Sequence, residues 1–293
     1  MRLHTFAFVV LVLVLSLLAV NAHADGVVLG TGANYAVLGA SSVTNTGATT
    51  INDGNVGVYP GTSITDAGTI TITAGNTIGL ATSTNQTDLI TAINDLSGLS
   101  SLNIGTAGLT GVVTVTPGVY SSPSSFLLNG TLTLNAEGLS NVDFIFLLGS
   151  DSLLTAAVGS NVVLENNTGS NVGVYWVAPM GSATLDGSTF VGNVLAGTSI
   201  TMGGGVTITC GSVLANTGDV TMINDTIDTG CNGSPYINSS GTVVTTNGGS
   251  TGPGPGTTPV PTPEPGTFAL LLCGLLPIGL MAFRKSRISS LSC

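Results

Sequence analysis

Gly192-Asn193-Val194-Leu195-Ala196 returns 19 residues later as Gly211-Ser212-Val213-Leu214-Ala215, and the segments after each copy return as well. Ser199-Ile200-Thr201-Met202 comes back as Asp219-Val220-Thr221-Met222, and Val206-Thr207-Ile208 as Asp225-Thr226-Ile227. Upstream, Val174-Tyr175-Trp176-Val177, Ser182-Ala183-Thr184-Leu185 and Ser188-Thr189-Phe190 fill the same three slots, and Phe144 to Leu147 opens a still earlier turn. Three short strands per period of about 19 residues, punctuated by Gly, Asn and Asp, predict an all-β chain wound as a β-solenoid of three faces.

The slots differ in composition, and the difference says which faces are covered. The first slot is almost continuously apolar, as strands buried on both sides are. The second and third alternate: Ile200, Met202, Val206 and Ile208 point inward while Ser199, Thr201, Thr207 and Thr209 point out, so these two faces meet water. The cover for the first slot is the one amphipathic helix. Ser83 to Gln86 reads as a capping box, Leu89, Ile90, Ile93 and Leu96 share a face, and Gly98 ends the element.

Charge excludes most chemistry. All four Lys and Arg residues sit at the ends of the chain, and the two histidines, His4 and His23, precede Asp25. From Asp25 to Ser250 there are 13 carboxylates and no cationic side chain. Such a domain lacks a histidine-activated nucleophile, a Schiff-base lysine, an imidazole metal site and a phosphate clamp, and it repels nucleic acid. A carboxylate-pair glycosidase would need two acids at a fixed separation, and no motif supplies them. A lyase would want a cationic side chain to take a proton. The Asn224, Asp225 and Asp228 group lacks the spacing of a calcium loop and reads as turn residues. The expectation is a non-enzymatic protein without cofactor or metal.

The ends carry addresses. Arg2, the apolar run from Phe6 to Val20 and the small residues Ala22 and Ala24 make residues 1–24 a signal peptide. Residues 25–237 form the solenoid domain, and 238–262 are a Gly/Ser/Thr/Pro linker, stiffer toward its Pro-rich end. In 263–293, Pro263-Glu264-Pro265 precedes an apolar stretch from Phe268 to Phe283 and the basic stub Arg284-Lys285-Ser286-Arg287. This tripartite end resembles the PEP-CTERM sorting signal of Gram-negative bacteria. The resemblance implies an exosortase partner, a transient transmembrane anchor in the inner membrane, and delivery to the cell surface or extracellular matrix.

Cys210 and Cys231 lie 21 positions apart, close to one coil. Stacked rungs lie about 4.8 Å apart, within the range of disulfide Cα separations, so an oxidising exterior favours a bridge between them. A free thiol pair and half a metal site are the alternatives, the second disfavoured by the lack of histidine. Cys273 and Cys293 belong to the sorting segment.

Outward residues on a solenoid face repeat at about 6.7 Å along a strand and about 4.8 Å between rungs, so Ser and Thr make a flat grid of hydroxyls. These distances are close to oxygen repeats in ice. A Thr hydroxyl anchors a water while its rotamer-restricted methyl favours an ordered water layer. Thr is also simply a good exposed strand residue, and composition alone does not separate the two readings.

The stretch from Tyr35 to Ile227 resembles the microbial ice-binding-protein family. The resemblance is carried by Tyr35-Ala36-Val37-Leu38-Gly39, Val43-Thr44-Asn45-Thr46-Gly47, Gly54-Asn55-Val56-Gly57-Val58, Thr116-Pro117-Gly118-Val119-Tyr120, Gly130-Thr131-Leu132-Thr133-Leu134 and Phe190-Val191-Gly192-Asn193-Val194-Leu195-Ala196, in that order. It implies a right-handed β-helix with a flanking α-helix and an ice crystal as partner. It also implies that ice meets the open face next after the covered one. Carried over residue by residue, that selects Ser182, Thr184, Ser199, Thr201 and Thr221, with Ser63 and Thr65 adjoining. Asp219 departs from the pattern by placing a charge in the grid, and the helix is short for the family. The expected function is ice binding by an exported protein. A structural or adhesive protein that binds exopolysaccharide on the same solenoid is the alternative.

Overall fold

The computed structural model describes residues 29–230 except 74, 106–108, 150–151 and 169–171, together with a short antiparallel pair, Tyr236–Ile237 and Val243–Val244. These residues fall in one compact unit, Met1–Gly249, and none of the other unit, Ser250–Cys293, is described. The signal segment 1–24, the sorting segment 263–293, Cys231 and all of linker 238–262 but Val243–Val244 therefore lie outside the described residues. Among those described, no helix is long and apolar enough to cross a membrane.

The chain is a β-solenoid whose body strands all pair in parallel, each rung hydrogen-bonded to the one above and below. Its rungs do not follow chain order. On the first face they run Ile78–Leu80, Asn55–Val58, Tyr35–Gly39, Val213–Ala215, Asn193–Ala196, Val172–Ala178, Val142–Leu148, Gly118–Ser122, Leu102–Asn103. The chain thus starts inside the stack at Tyr35 and winds outward to Leu80. The helix Ser83–Ser97 then carries it across the covered face. It re-enters at the far end and winds back until Val213 and Leu214 pair with Val37 and Leu38. Consecutive stacking, as read from the repeats, holds within each of these two blocks and not between them. The helix supplies part of the crossing: 15 residues at about 1.5 Å span about 22 Å, or between four and five of the eight rung steps from Ile78–Leu80 to Leu102–Asn103, and the residues flanking it supply the rest.

Coil length also departs from a uniform period. Val194 pairs with Val213, 19 positions on, but Phe146 pairs with Trp176, 30 positions on, and Tyr120 with Phe146, 26 on. The longer coils are filled by aromatics. Phe146 stacks on Trp176 at 4.1 Å and on Tyr120 at 5.5 Å, Phe126 meets it edge-on, and Phe190 packs on Trp176 at 4.8 Å. The indole N–H of Trp176 donates to the carbonyl of Val191 at 2.9 Å, so the largest buried ring leaves no polar atom unpaired. Where coils are shorter, Val43, Ile51, Ile200, Met202, Ile208 and Met222 fill the interior.

Covering of the first face is as the slot composition requires. Its outward file reads Leu38, Leu214, Leu195, Val177, Leu147 on successive rungs, and these pack against Leu89, Ala92, Ile93 and Leu96 of the helix. Two details of the helix differ from the sequence reading. The N-cap is Thr82, one residue earlier, with its backbone N–H donating to Asn85 Oδ1 at 2.8 Å. Gln86 instead donates to the carbonyls of Ala215 (2.8 Å) and Asn216 (2.7 Å), which seats the helix on the rung below it. Ile90 points to solvent at 40% exposure, and Ala92 takes its place in the contact.

The second and third faces form one 14-stranded sheet, because Phe126–Asn135 bends across the corner and serves both. Gly130 makes the bend at φ 117°, and a Cβ there would strike the Gly111 carbonyl. At this same corner, between the blocks, runs a buried polar chain. The Asp225 N–H donates to Thr49 Oγ1 (3.2 Å), the Thr49 hydroxyl to Asn45 Oδ1 (2.7 Å), and Asn45 Nδ2 to the Gly47 carbonyl (2.7 Å) and Asp66 Oδ1 (2.8 Å). The Asp225 carboxylate accepts the N–H groups of Val206 (2.9 Å) and Ile223 (2.6 Å).

Candidate functional site

The in-register second face lines up its outward residues rung by rung. Thr65 opposes Thr44, Thr44 opposes Thr221, then come Thr201, Thr184 and Thr155, and the next rung carries Leu127. Six threonines on six successive rungs extend about 24 Å at about 4.8 Å each. Two positions before each lies a second outward column: Ser63 and Ser42, which are paired, then Asp219, Ser199, Ser182, Leu153 and Ser125. Inward positions alternate with these and are fully buried, among them Val43, Val220, Ile200, Ala183 and Leu154.

The structure places all seven residues selected from the sequence, Ser182, Thr184, Ser199, Thr201, Thr221, Ser63 and Thr65, on this one face. It adds two that sequence reading missed. Thr44 is the link between Thr65 and Thr221, and it was hidden because its rung stacks on one 177 positions away. The matching triplets Val43-Thr44-Asn45 and Val220-Thr221-Met222 are the signal that would have found it. Thr155 was hidden by the longer coil that precedes Thr184.

Polar contacts divide the face. The hydroxyls of Thr44, Thr155, Thr184 and Thr201 make no hydrogen bond to another residue among the described ones, so they are available to water. Asp219 is engaged within the surface: its carboxylate accepts from Ser199 Oγ (2.8 Å) and from the Thr221 hydroxyl (3.3 Å), and its own N–H donates to Ser199 Oγ (3.2 Å). The charge is thus held against the sheet beside the threonine file. Ser182 Oγ pairs with Thr198 Oγ1 at 2.5 Å, which fixes its rotamer.

The third face has a threonine file of its own: Thr71, Thr50, Thr226, Thr207 and Thr189, succeeded by Asn161 and Thr131. It is interrupted after five rungs, and the adjoining column is chemically uneven, with Thr209, Asp228 and Asn52 opposed in turn and Val191 beside them. Burial pushes the Asp228 carboxyl above its usual range against the pull of the Gly230 N–H. Cys210, at the end of this face, is disulfide-bonded, and its Sγ lies 4.0 Å from the carbonyl oxygen of Gly230, the neighbour of Cys231 in sequence. Among the described residues no group of three or more His, Cys, Asp or Glu could hold a metal ion.

Comparison with known proteins gives a consistent set of likenesses. A family model described as ice-binding-like matches residues 37–228. An ice-binding protein of Nostoc sp. (strain HG1) is 37% identical over 233 residues, covering 77% of this chain and 83% of that one. Ice-binding protein 1 of Shewanella frigidimarina (strain NCIMB 400) is 29% identical over 225 residues, which are 66% of this chain and 25% of the larger relative. Among solved structures, an ice-binding protein from an Antarctic biological consortium superposes with a TM-score of 0.61 at 34% identity, covering 70% of this chain and 91% of that one. One from the Antarctic ascomycete Antarctomyces psychrotrophicus gives 0.61 at 31% identity, over 71% and 100%.

Proposed function

Since the chain belongs to the ice-binding-like family, we propose that it is an exported, non-catalytic protein that binds ice crystals through its second face. The observation that carries this reading is the unbroken file of six threonines with their neighbouring serine column. Each threonine offers a hydroxyl that can join a water lattice and a methyl that water must order around. A single such contact is weak. Many made at once by a surface with one fixed spacing add, because the rigid ladder leaves little side-chain freedom to be lost on contact. The absence of Lys and Arg from the whole domain suits this role, since strongly hydrated cationic heads would compete for the same layer of water.

Export rests on the signal peptide, and surface delivery on the likeness of 263–293 to a PEP-CTERM segment, with an exosortase acting during passage. The sorting segment also favours a second reading, in which the same solenoid is a matrix protein holding exopolysaccharide. Purified protein assayed for ice-crystal shaping and recrystallisation inhibition decides between them. The ice reading requires both activities in the parent, a strong loss in Thr201→Tyr at unchanged thermal stability, and little change in Thr207→Tyr on the third face. Loss confined to Thr207→Tyr moves the site to that face. A parent inactive on ice but retained by purified matrix polysaccharide leaves the adhesive reading in its place.

A further inference from the structure

Two leucines complete the outward grid of the second face at the end where the coils are long. Leu127 continues the threonine file, directly opposite Thr155, and Leu153 continues the serine column between Ser182 and Ser125. Their immediate neighbours in the strands, Phe126, Leu128 and Leu154, are buried, whereas Leu127 is 42% and Leu153 48% exposed. Leu127 is held in the ladder, since the pairing of Phe126, Leu127 and Leu128 with Leu154, Thr155 and Ala156 keeps the register of the rungs before it, whereas Leu153 immediately precedes the strand Leu154–Ala156 and its N–H donates to Ser125 Oγ at 3.0 Å. Leu127 therefore stands on the same ladder as the threonines, with Leu153 at its margin.

We propose that Leu127 and Leu153 are part of the ice-contacting surface and set its affinity, forming an apolar end where the lattice is met by dewetting and not by hydrogen bonds. The inference rests on the ice reading of the second face and deepens it. A half-exposed leucine orders the liquid water around it, and contact with an already ordered ice plane releases that water, whereas a threonine hydroxyl exchanges one water partner for another with little net change. The apolar end can therefore add more to adsorption per residue than the hydroxyl file beside it. Leu127 lies in register with Thr155, so a flat ice plane that meets the threonine file meets the leucine as well, and ice is the occupant proposed.

The test is a double variant, Leu127→Thr with Leu153→Ser, which extends the hydroxyl pattern over the whole face. If the leucines contact ice, about tenfold more protein is needed for half-maximal recrystallisation inhibition, at an unchanged unfolding midpoint. The conservative pair Leu127→Ile and Leu153→Met keeps most of the activity. Activity equal to or above the parent in the hydroxyl double variant, with Thr201→Tyr still inactive, overturns the inference and leaves the threonine face standing. A parent that sediments as a dimer and becomes monomeric in the double variant without loss of ice activity overturns it as well, assigning the pair to contact between copies. Should the parent itself fail to shape ice, both readings fall together.

Discussion

Val194 and Thr201 sit seven residues apart on consecutive faces of one coil and face opposite media. Val194 is 1% exposed beneath the first face, while Thr201 points to solvent in the middle of the threonine file. Val194→Asp would bury an unpaired charge and is expected to cost more than about 4 kcal/mol, enough to remove folded protein. Thr201→Asp is expected to shift thermal unfolding by no more than about 0.5 kcal/mol. Equal damage at both sites would contradict the assignment of faces. Asp225 gives a second test at this scale. Burial raises its carboxyl to about 6 against the pull of the Ile223 and Val206 N–H groups. Folded protein therefore binds this proton more tightly than unfolded chain does, and stability rises as pH falls through about 6 and is lost above it. The unfolding midpoint should climb on mild acidification, with a flatter slope in Asp225→Asn. Sequence reading recognised Asp225 as a turn residue but not its burial, because the groups that enclose it, Thr49 and Asn45, come from the other block of the chain.

Among the elements, the helix decides which face is free. Leu89 is fully buried between helix and first face, and Leu89→Ala should destabilise by about 2–5 kcal/mol, read by denaturant unfolding. Thr82→Ala should cost about 1 kcal/mol through loss of the cap. The existence of this helix, its end at Gly98 and most of its apolar side were legible from the spacing of Leu89, Ile93 and Leu96, although Ile90, read as part of that side, faces solvent and Ala92 takes its place. Its cap was not, because Thr82, Ser83 and Thr84 are all capable residues and the choice is made by distant contacts. Asn85 Oδ1 also accepts from Tyr35 (3.2 Å), its amide donates to Thr31 (2.8 Å), and Asp88 accepts from the Thr31 N–H (2.7 Å). Strand identity was legible for the same reason as the faces, since a period of two with one side apolar has a single consistent burial. Rung order was not, because repeats report what each coil is and not which coil lies next to it.

For the molecule as a whole, the C-terminal coil, which lies inside the stack, is tied by a disulfide at Cys210 as well as by pairing. A product cleaved ahead of Cys273 should show no titratable thiol when denatured without reductant, and Cys210→Ser should lower stability by about 3 kcal/mol. Two free thiols would remove the bridge while leaving the solenoid intact. The joint between the two blocks has a wider consequence. Thr65 and Thr44 are made near the start of the chain and the remaining four threonines later, with Thr221 last, so the row is joined only when strands about 177 residues apart come into register. Closure of so long a loop is slow and comes after local winding. A chain that ended before Thr221 would carry two fragments of the pattern, Thr44 with Thr65 and Thr155 to Thr201, without the rung that joins them. If the second face is the one that meets ice, its assembly doubles as a check on completion: the full row exists only once the last turn has found the first.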